Sequence, residues 1–216
     1  MSKVPLQKKI LSSNDRIAAE LREAFDRSGI LALNLISSPG AGKTSLLERT
    51  LETFDSSRCV ALLTGDIQTD NDAARLAKAG FPVRQITTEG ACHLDARMVL
   101  RGLEGWNLAD LDLLFIENVG NLVCPASYDL GEAAKVVLLS VTEGDDKPLK
   151  YPSIFTRADL LVLNKIDLLP YVHFDVDAAL ENARKVNPQI DIVEVSCTTG
   201  EGLDDWTGWF EARTKT

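Results

Sequence analysis

The sequence predicts an α/β fold, a mostly parallel sheet with helices on both faces. Three observations carry that expectation. Apolar segments that read as buried strands alternate with amphipathic segments that read as helices. A strand, a loop of small residues, Gly42-Lys43-Thr44 and a helix succeed one another early in the chain. Asp66, Glu117 and Asn164 each close an apolar strand, at the carboxyl ends where such sheets hold ligands.

Taken in order, Leu11 to Ser28 reads as a helix. Ile17, Leu21 and Phe25 recur every fourth residue, Ser13 is a candidate N-cap, and Gly29 stops the run. Residues 1–29 therefore form a helical extension packed on a domain spanning 30–216. Ile30 to Ile36 is a buried strand, and Ser45 to Leu51 starts a helix. Cys59 to Leu63 is a second strand, with Cys59 in the core. Asp72 to Ala79 is a short helix closed by Gly80, with Asp70 and Asp72 as caps. Val83 to Thr87 alternates as a strand does, and Leu94 to Leu103 has helical spacing. Leu111 to Ile116, Lys135 to Val141, Leu160 to Leu163 and Ile190 to Val195 complete the strands. A polar loop follows from Glu143, and helices span Val176 to Val186 and Leu203 to Arg213.

Composition narrows the function. The 216 residues suit one α/β domain, and 45% hydrophobic content is ample for a core. A net charge of −9 argues against a nucleic-acid partner. No run of about 20 apolar residues marks a membrane span. The first residues lack the apolar segment of a signal peptide, so a cytoplasmic location is expected. The four cysteines, Cys59, Cys92, Cys124 and Cys197, are too few for a disulfide framework, and free thiols are expected in a reducing compartment.

The run Ser37-Ser38-Pro39-Gly40-Ala41-Gly42-Lys43-Thr44 has the form of the P-loop NTPase phosphate cradle, G-x-x-x-x-G-K-[ST]. Backbone N–H groups of Gly40, Ala41, Gly42 and Ser45, with the positive helix end, suit a polyphosphate. Lys43 can reach the β- and γ-phosphates, and the Thr44 hydroxyl can ligate Mg²⁺. One position departs from the pattern: Ser37 stands where the first glycine is usual. Asn164-Lys165-Ile166-Asp167 follows a later strand. In N-K-x-D the aspartate accepts from guanine N1–H and N2–H₂, which adenine does not offer, so GTP is expected over ATP. Asn164 buttresses the loop and the Lys165 stem lies over the base. Ser196 and Cys197 occupy the place of the last loop around guanine O6.

Asp66 and Glu117 compete for the magnesium and water-positioning roles, with Thr44 as their partner at the ion. Nothing resembles a conventional arginine finger, so slow hydrolysis is expected. Cys92-His93 and Cys124 are thiolate and imidazole ligands of the kind that suit Zn²⁺ or Ni²⁺. One chain supplies three such groups, and two chains across a twofold can complete the site. The spacing alone leaves a second reading open, a buried structural cysteine beside a capping histidine.

The blocks Gly65-Asp66-Ile67-Gln68-Thr69-Asp70, Gly90-Ala91-Cys92-His93-Leu94 and Glu117-Asn118-Val119-Gly120-Asn121-Leu122-Val123-Cys124-Pro125 resemble those of the hydrogenase nickel-incorporation GTPases, the HypB family. The similarity runs from about Leu33 to Gly202. It implies a P-loop fold of the dimerising GTPase class and a GTP-bound homodimer. It also implies delivery of nickel to the large subunit of [NiFe]-hydrogenase, with a nickel-binding accessory protein as a further partner. It carries over Cys92, His93 and Cys124 as Ni²⁺ or Zn²⁺ ligands. It also suggests that one of the two lysines of the loop from Glu143, Lys150 ahead of Lys147, touches the nucleotide of the other subunit. The urease accessory GTPases share the phosphate loop, but their cysteine–proline–histidine motif does not occur here. Residues 1–30 contain neither the histidine-rich stretch nor the Cys-x-x-Cys-Gly-Cys motif found in some members, which leaves the site coupled to the GTPase.

Overall fold

A computed structural model describes residues 6–54, 58–66, 71–88 and 90–214, without the side chains of 6–10 and 71. The elements are α1 Leu6–Ser28, β1 Leu31–Ser37, α2 Lys43–Glu52, β2 Val60–Asp66, α3 Asn71–Leu76, β3 Val83–Thr87, α4 Ala96–Gly102, β4 Leu113–Glu117, β5 Ala134–Ser140, α5 Lys147–Lys150, α6 Pro152–Phe155, β6 Leu160–Asn164, α7 Val176–Val186, β7 Asp191–Val195 and α8 Leu203–Glu211. The seven strands form one sheet in the order β3-β2-β4-β1-β5-β6-β7. Every neighbouring pair is parallel. Crossover helices must then cover both faces, and β1, β4 and β6 are buried along their whole length.

Alternate residues of β1 serve the two faces. Leu31, Leu33 and Leu35 join Leu46, Leu47 and Leu51 of α2 and Trp206 and Phe210 of α8. Ala32 packs with Ile17, Leu21 and Phe25 of α1 and Val99 of α4. Ile36 packs with Phe155 of α6 and Ala183 of α7. This period-two division follows from the pleat, and the parallel strand order puts the carboxyl ends of β2, β4 and β1 side by side, with that of β6 beyond β5 on the same edge. No helix among the described residues is long and apolar enough to cross a membrane.

Several local expectations change. The first helix already runs at Leu6, the first described residue, so Ser13 lies inside it and caps nothing. The Gln, Lys and Leu residues before Leu11 favour helix and nothing among them breaks it. Asp70 lies outside the described residues, and Asp72 sits within the first turn of α3, 3.7 Å from Arg75. Asp95, with its carboxylate accepting from Met98 N–H at 2.7 Å, starts α4 two residues later than the apolar spacing implies. The polar stretch after Glu143 contains the short helix α5. Cys59 is exposed rather than core, because β2 begins only at Val60 and leaves Cys59 at the amino-terminal rim of the sheet.

Candidate active site and thiol–imidazole cluster

The turn between β1 and α2 is built on two left-handed glycines, Gly40 at φ 75° and Gly42 at φ 102°. A side chain at Gly42 would be strained, and its Cβ would fall 2.4 Å from Asn164 Nδ2. The turn thus requires glycine and brings the Asn164 loop against it. Ser37, the departure from the usual pattern, has a use: its hydroxyl accepts from Lys43 Nζ at 2.9 Å and donates to the Ser38 carbonyl at 2.6 Å. Lys43 is 8% exposed, and burial lowers its pKa while the nearby Glu117 carboxylate opposes that shift.

A cavity of about 460 Å³ opens over this turn. Gly42, Lys43, Thr44, Asp66, Glu117 and Lys165 are among its walls. Thr44 Oγ1 donates to Glu117 Oε1 at 2.8 Å. Glu117 is 4% exposed, and burial pushes its carboxyl up to about 7. Its other oxygen, Oε2, is buried with no hydrogen-bond partner. A buried acceptor left unpaired is costly. Together with Thr44 and Asp66 it makes an all-oxygen donor set that fits Mg²⁺.

The base-side residues also converge. Lys165 has φ 65°, the single positive φ outside glycine among the described residues. That conformation lays its stem along the phosphate turn, where Nζ donates to the Gly40 carbonyl at 2.7 Å. Asn164 Nδ2 donates to the Ala41 carbonyl at 2.9 Å, and its Oδ1 accepts from Lys165 N–H at 2.7 Å and from Cys197 Sγ at 3.5 Å. Asp167 Oδ1 accepts from Ser196 Oγ at 2.6 Å. Burial pushes the Cys197 thiol up to about 11, so it stays protonated as a donor to Asn164.

Two further cations stand near the phosphate turn, and of these only Arg75 is unmarked by the sequence, since Lys147 is one of the two loop lysines it offers for the nucleotide. Arg75 of α3 lines the cavity, held by Glu48 at 3.0 Å and reaching Ser45 Oγ at 3.3 Å. Lys147 of α5 donates to Ser38 Oγ at 3.2 Å and pairs with Glu143 at 3.1 Å. Lys150, one turn further on, is exposed and paired with Asp146 at 2.7 Å. No local motif marks Arg75, and the contact of Lys147 with Ser38 is hidden because each side chain reaches the turn from a distant element.

Cys92, His93 and Cys124 come together, with ligand atoms within 4.8 Å of one another. Among the described residues this is the one such His/Cys/Asp/Glu group. The expectation of four free thiols is corrected here: Cys92 and Cys124 are joined as a disulfide, with Cα atoms 6.2 Å apart. The reason is positional. The loop after β3 and the segment leaving β4 meet at one spot, although 32 residues separate the cysteines. Cys59 and Cys197 remain free. The His93 ring stacks on Tyr128 with centroids 3.8 Å apart, and burial lowers its pKa, which favours the neutral, ligating imidazole. His173 lies in a loop well separated in sequence from these groups.

The CobW/HypB/UreG nucleotide-binding domain model matches residues 31–194. The hydrogenase maturation factor HypB of Azotobacter chroococcum mcd 1 is 54% identical over 208 residues, covering 96% of this chain and 68% of the relative. The chain belongs to the HypB family of hydrogenase maturation factors. HypB of Helicobacter pylori, named a hydrogenase/urease maturation factor, is 46% identical over 94% of this chain and 85% of its own. The crystal structure of Helicobacter pylori HypB in complex with nickel superposes with a TM-score of 0.88 at 41% identity, covering 94% of this chain and 95% of that one. The α/β architecture expected from the strand pattern is that of this HypB structure.

Proposed function

We propose that this HypB family member is a slow, cytoplasmic GTPase that carries nickel, or zinc in its place, and passes nickel to [NiFe]-hydrogenase as a GTP-bound homodimer. The observation that carries the proposal is the meeting of Cys92, His93 and Cys124 within 4.8 Å, at the end of the segment that starts at cavity residue Glu117. The nickel complex of the Helicobacter pylori relative supports nickel as the cargo. Once reduced, the two cysteines offer thiolates that, with imidazole, suit Ni²⁺ and Zn²⁺.

In this reading Lys43 and the turn amides bind the triphosphate, and Asp167 with Ser196 reads guanine. Thr44, Asp66 and Glu117 hold Mg²⁺, which when bound neutralises charge on the β- and γ-phosphates. Glu117 or Asp66 orients the attacking water. Arg75, the arginine that lines the cavity, stays engaged with Glu48 and Asp72, which agrees with slow turnover. Lys150 reaches the partner's nucleotide, and a nickel-binding accessory protein supplies the metal.

Gel filtration of the reduced protein with a non-hydrolysable GTP analogue will show dimer where GDP shows monomer. Equal monomer content in both would overturn the dimer. Cys124→Ala will abolish stoichiometric Ni²⁺ binding in equilibrium dialysis and leave GTP affinity within about twofold. Retained stoichiometric nickel would remove Cys124 from the site.

The pH dependence of magnesium binding follows from Glu117. Its folded pKa of about 7 lies above the unfolded carboxyl value of about 4.3. Its burial therefore stabilises the fold below the unfolded value, and that contribution is lost as pH rises through 7. A cation at this carboxylate must displace the proton below pH 7. Mg²⁺ affinity measured with GDP should fall by up to about tenfold per pH unit below 7 and level off above 8. A flat profile between pH 6 and 8 would take Glu117 out of the ion's shell.

A further inference from the structure

One buried amide connects the nucleotide cavity to the thiol–imidazole cluster by a path shorter than the chain between them. Asn118 directly follows Glu117 and is 1% exposed. Its Oδ1 accepts from Leu94 N–H at 3.1 Å and from Val119 N–H at 3.0 Å. Its Nδ2 donates to Asn34 Oδ1 at 3.2 Å, and its backbone N–H donates to the Leu35 carbonyl of β1 at 2.9 Å. The network continues from Asn34 Nδ2 to Glu132 Oε1 at 3.1 Å and on to Lys135. Asn118 is thus anchored to the strand that enters the phosphate turn.

Leu94 is the other half of the junction. It follows His93 and lies two residues after Cys92. Its side chain is fully buried and closes over Gly65, where an added Cβ would stand 2.8 Å from Leu94 Cγ and 2.9 Å from each Cδ. Gly65 immediately precedes Asp66. Leu94 therefore touches the residue next to each cavity acid: its amide binds the neighbour of Glu117, and its side chain covers the neighbour of Asp66. Gly120, two residues beyond Asn118, lies against Pro39 of the phosphate turn, 3.1 Å from Cα to an added Cβ.

We propose that Asn118 is the positioning residue that transmits nucleotide state to the Cys92–His93 arm, through its bond to the Leu94 amide. The inference rests on the nickel-carrying GTPase reading. The physical argument is that a buried N–H cannot be left without a partner at low cost. When the residues around Glu117 shift with the nucleotide, Leu94 must follow Asn118 or lose its acceptor. Gly65 offers no Cβ to hold Leu94 back. His93 and Cys92 then move relative to Cys124, and metal affinity changes with the nucleotide.

The test compares Ni²⁺ affinity of the reduced full chain with a non-hydrolysable GTP analogue and with GDP. Wild type should show a ratio of at least about fivefold between the two states, the lower end of ordinary coupling between sites. Asn118→Leu, close in volume but without hydrogen-bonding atoms, should bring that ratio to within about twofold of unity. A merely structural role would weaken nickel in both states and leave the ratio standing. A wild-type ratio that survives in Asn118→Leu overturns the inference alone. A ratio of unity in wild type overturns the inference together with the nucleotide-coupled reading. Amide exchange on the wild-type protein needs no variant. Exchange of Leu94 N–H should differ by at least about fivefold between the two nucleotides. Equal exchange would overturn the inference even where Asn118→Leu does not fold.

Discussion

Lys43→Ala will lower GTP hydrolysis by about 100- to 1,000-fold, measured as phosphate release at saturating Mg²⁺–GTP. The ammonium is already desolvated, 8% exposed and hydrogen-bonded only 2.9 Å from Ser37 Oγ. A cation held this way gives up little hydration when charge builds on the phosphates, so its interaction is strong where the reaction needs it. Glu117 sits in the same pocket, and loss of Lys43 removes the larger of the two positive charges that act on that carboxyl, Arg75 being the other. The Glu117 pKa should then rise further, weakening Mg²⁺ at neutral pH and adding to the loss. Turnover within about threefold of wild type would show that the cavity is not the site of hydrolysis.

Asp167→Asn will weaken GTP by about 100-fold or more and strengthen xanthosine triphosphate in its place, read as competition against a fluorescent nucleotide. Guanine presents N1–H and N2–H₂ to the carboxylate, whereas an asparagine amide opposes one of those donors with its own. Xanthine offers a carbonyl at position 2, which the new NH₂ can meet. Ser196 Oγ, which donates to Asp167 Oδ1 at 2.6 Å, can keep that bond to the asparagine carbonyl, so the loop should hold its shape. Unchanged GTP affinity in this variant would break the link between the N-K-x-D loop and the base.

The parts of this site legible in the sequence are those that local chemistry dictates. Gly40 and Gly42 announce a turn that demands positive φ, and Asn164 to Asp167 follow a strand whose end must face the ligand edge. The Val176–Val186 helix appears with the boundaries its spacing gives. The misreadings have physical causes. An apolar run from Cys59 to Leu63 cannot say which of its residues overhangs the rim of the sheet, and on its pattern alone Cys59 belongs inside. The amphipathic period of α1 shows where a helix is buried and not where it starts. What the sequence hid most completely is pairing across distance. Asn118 meets Leu94 and Asn34, Lys147 meets Ser38, and Cys124 meets Cys92. Each partnership depends on which strands become neighbours, and a parallel sheet fixes that only when all its crossovers are made.

The strand order carries a consequence for how such a molecule can diversify. In the proposed function, the base-reading residues hang from β6 and β7, while the sulfur and imidazole groups hang from the loops beyond β3 and β4, on the far side of β1. A lineage can therefore retune its choice of purine without disturbing its taste in metals, and the reverse. Only substitutions at β1 and the turn that follows it, which both halves adjoin, would force the two traits to change in step.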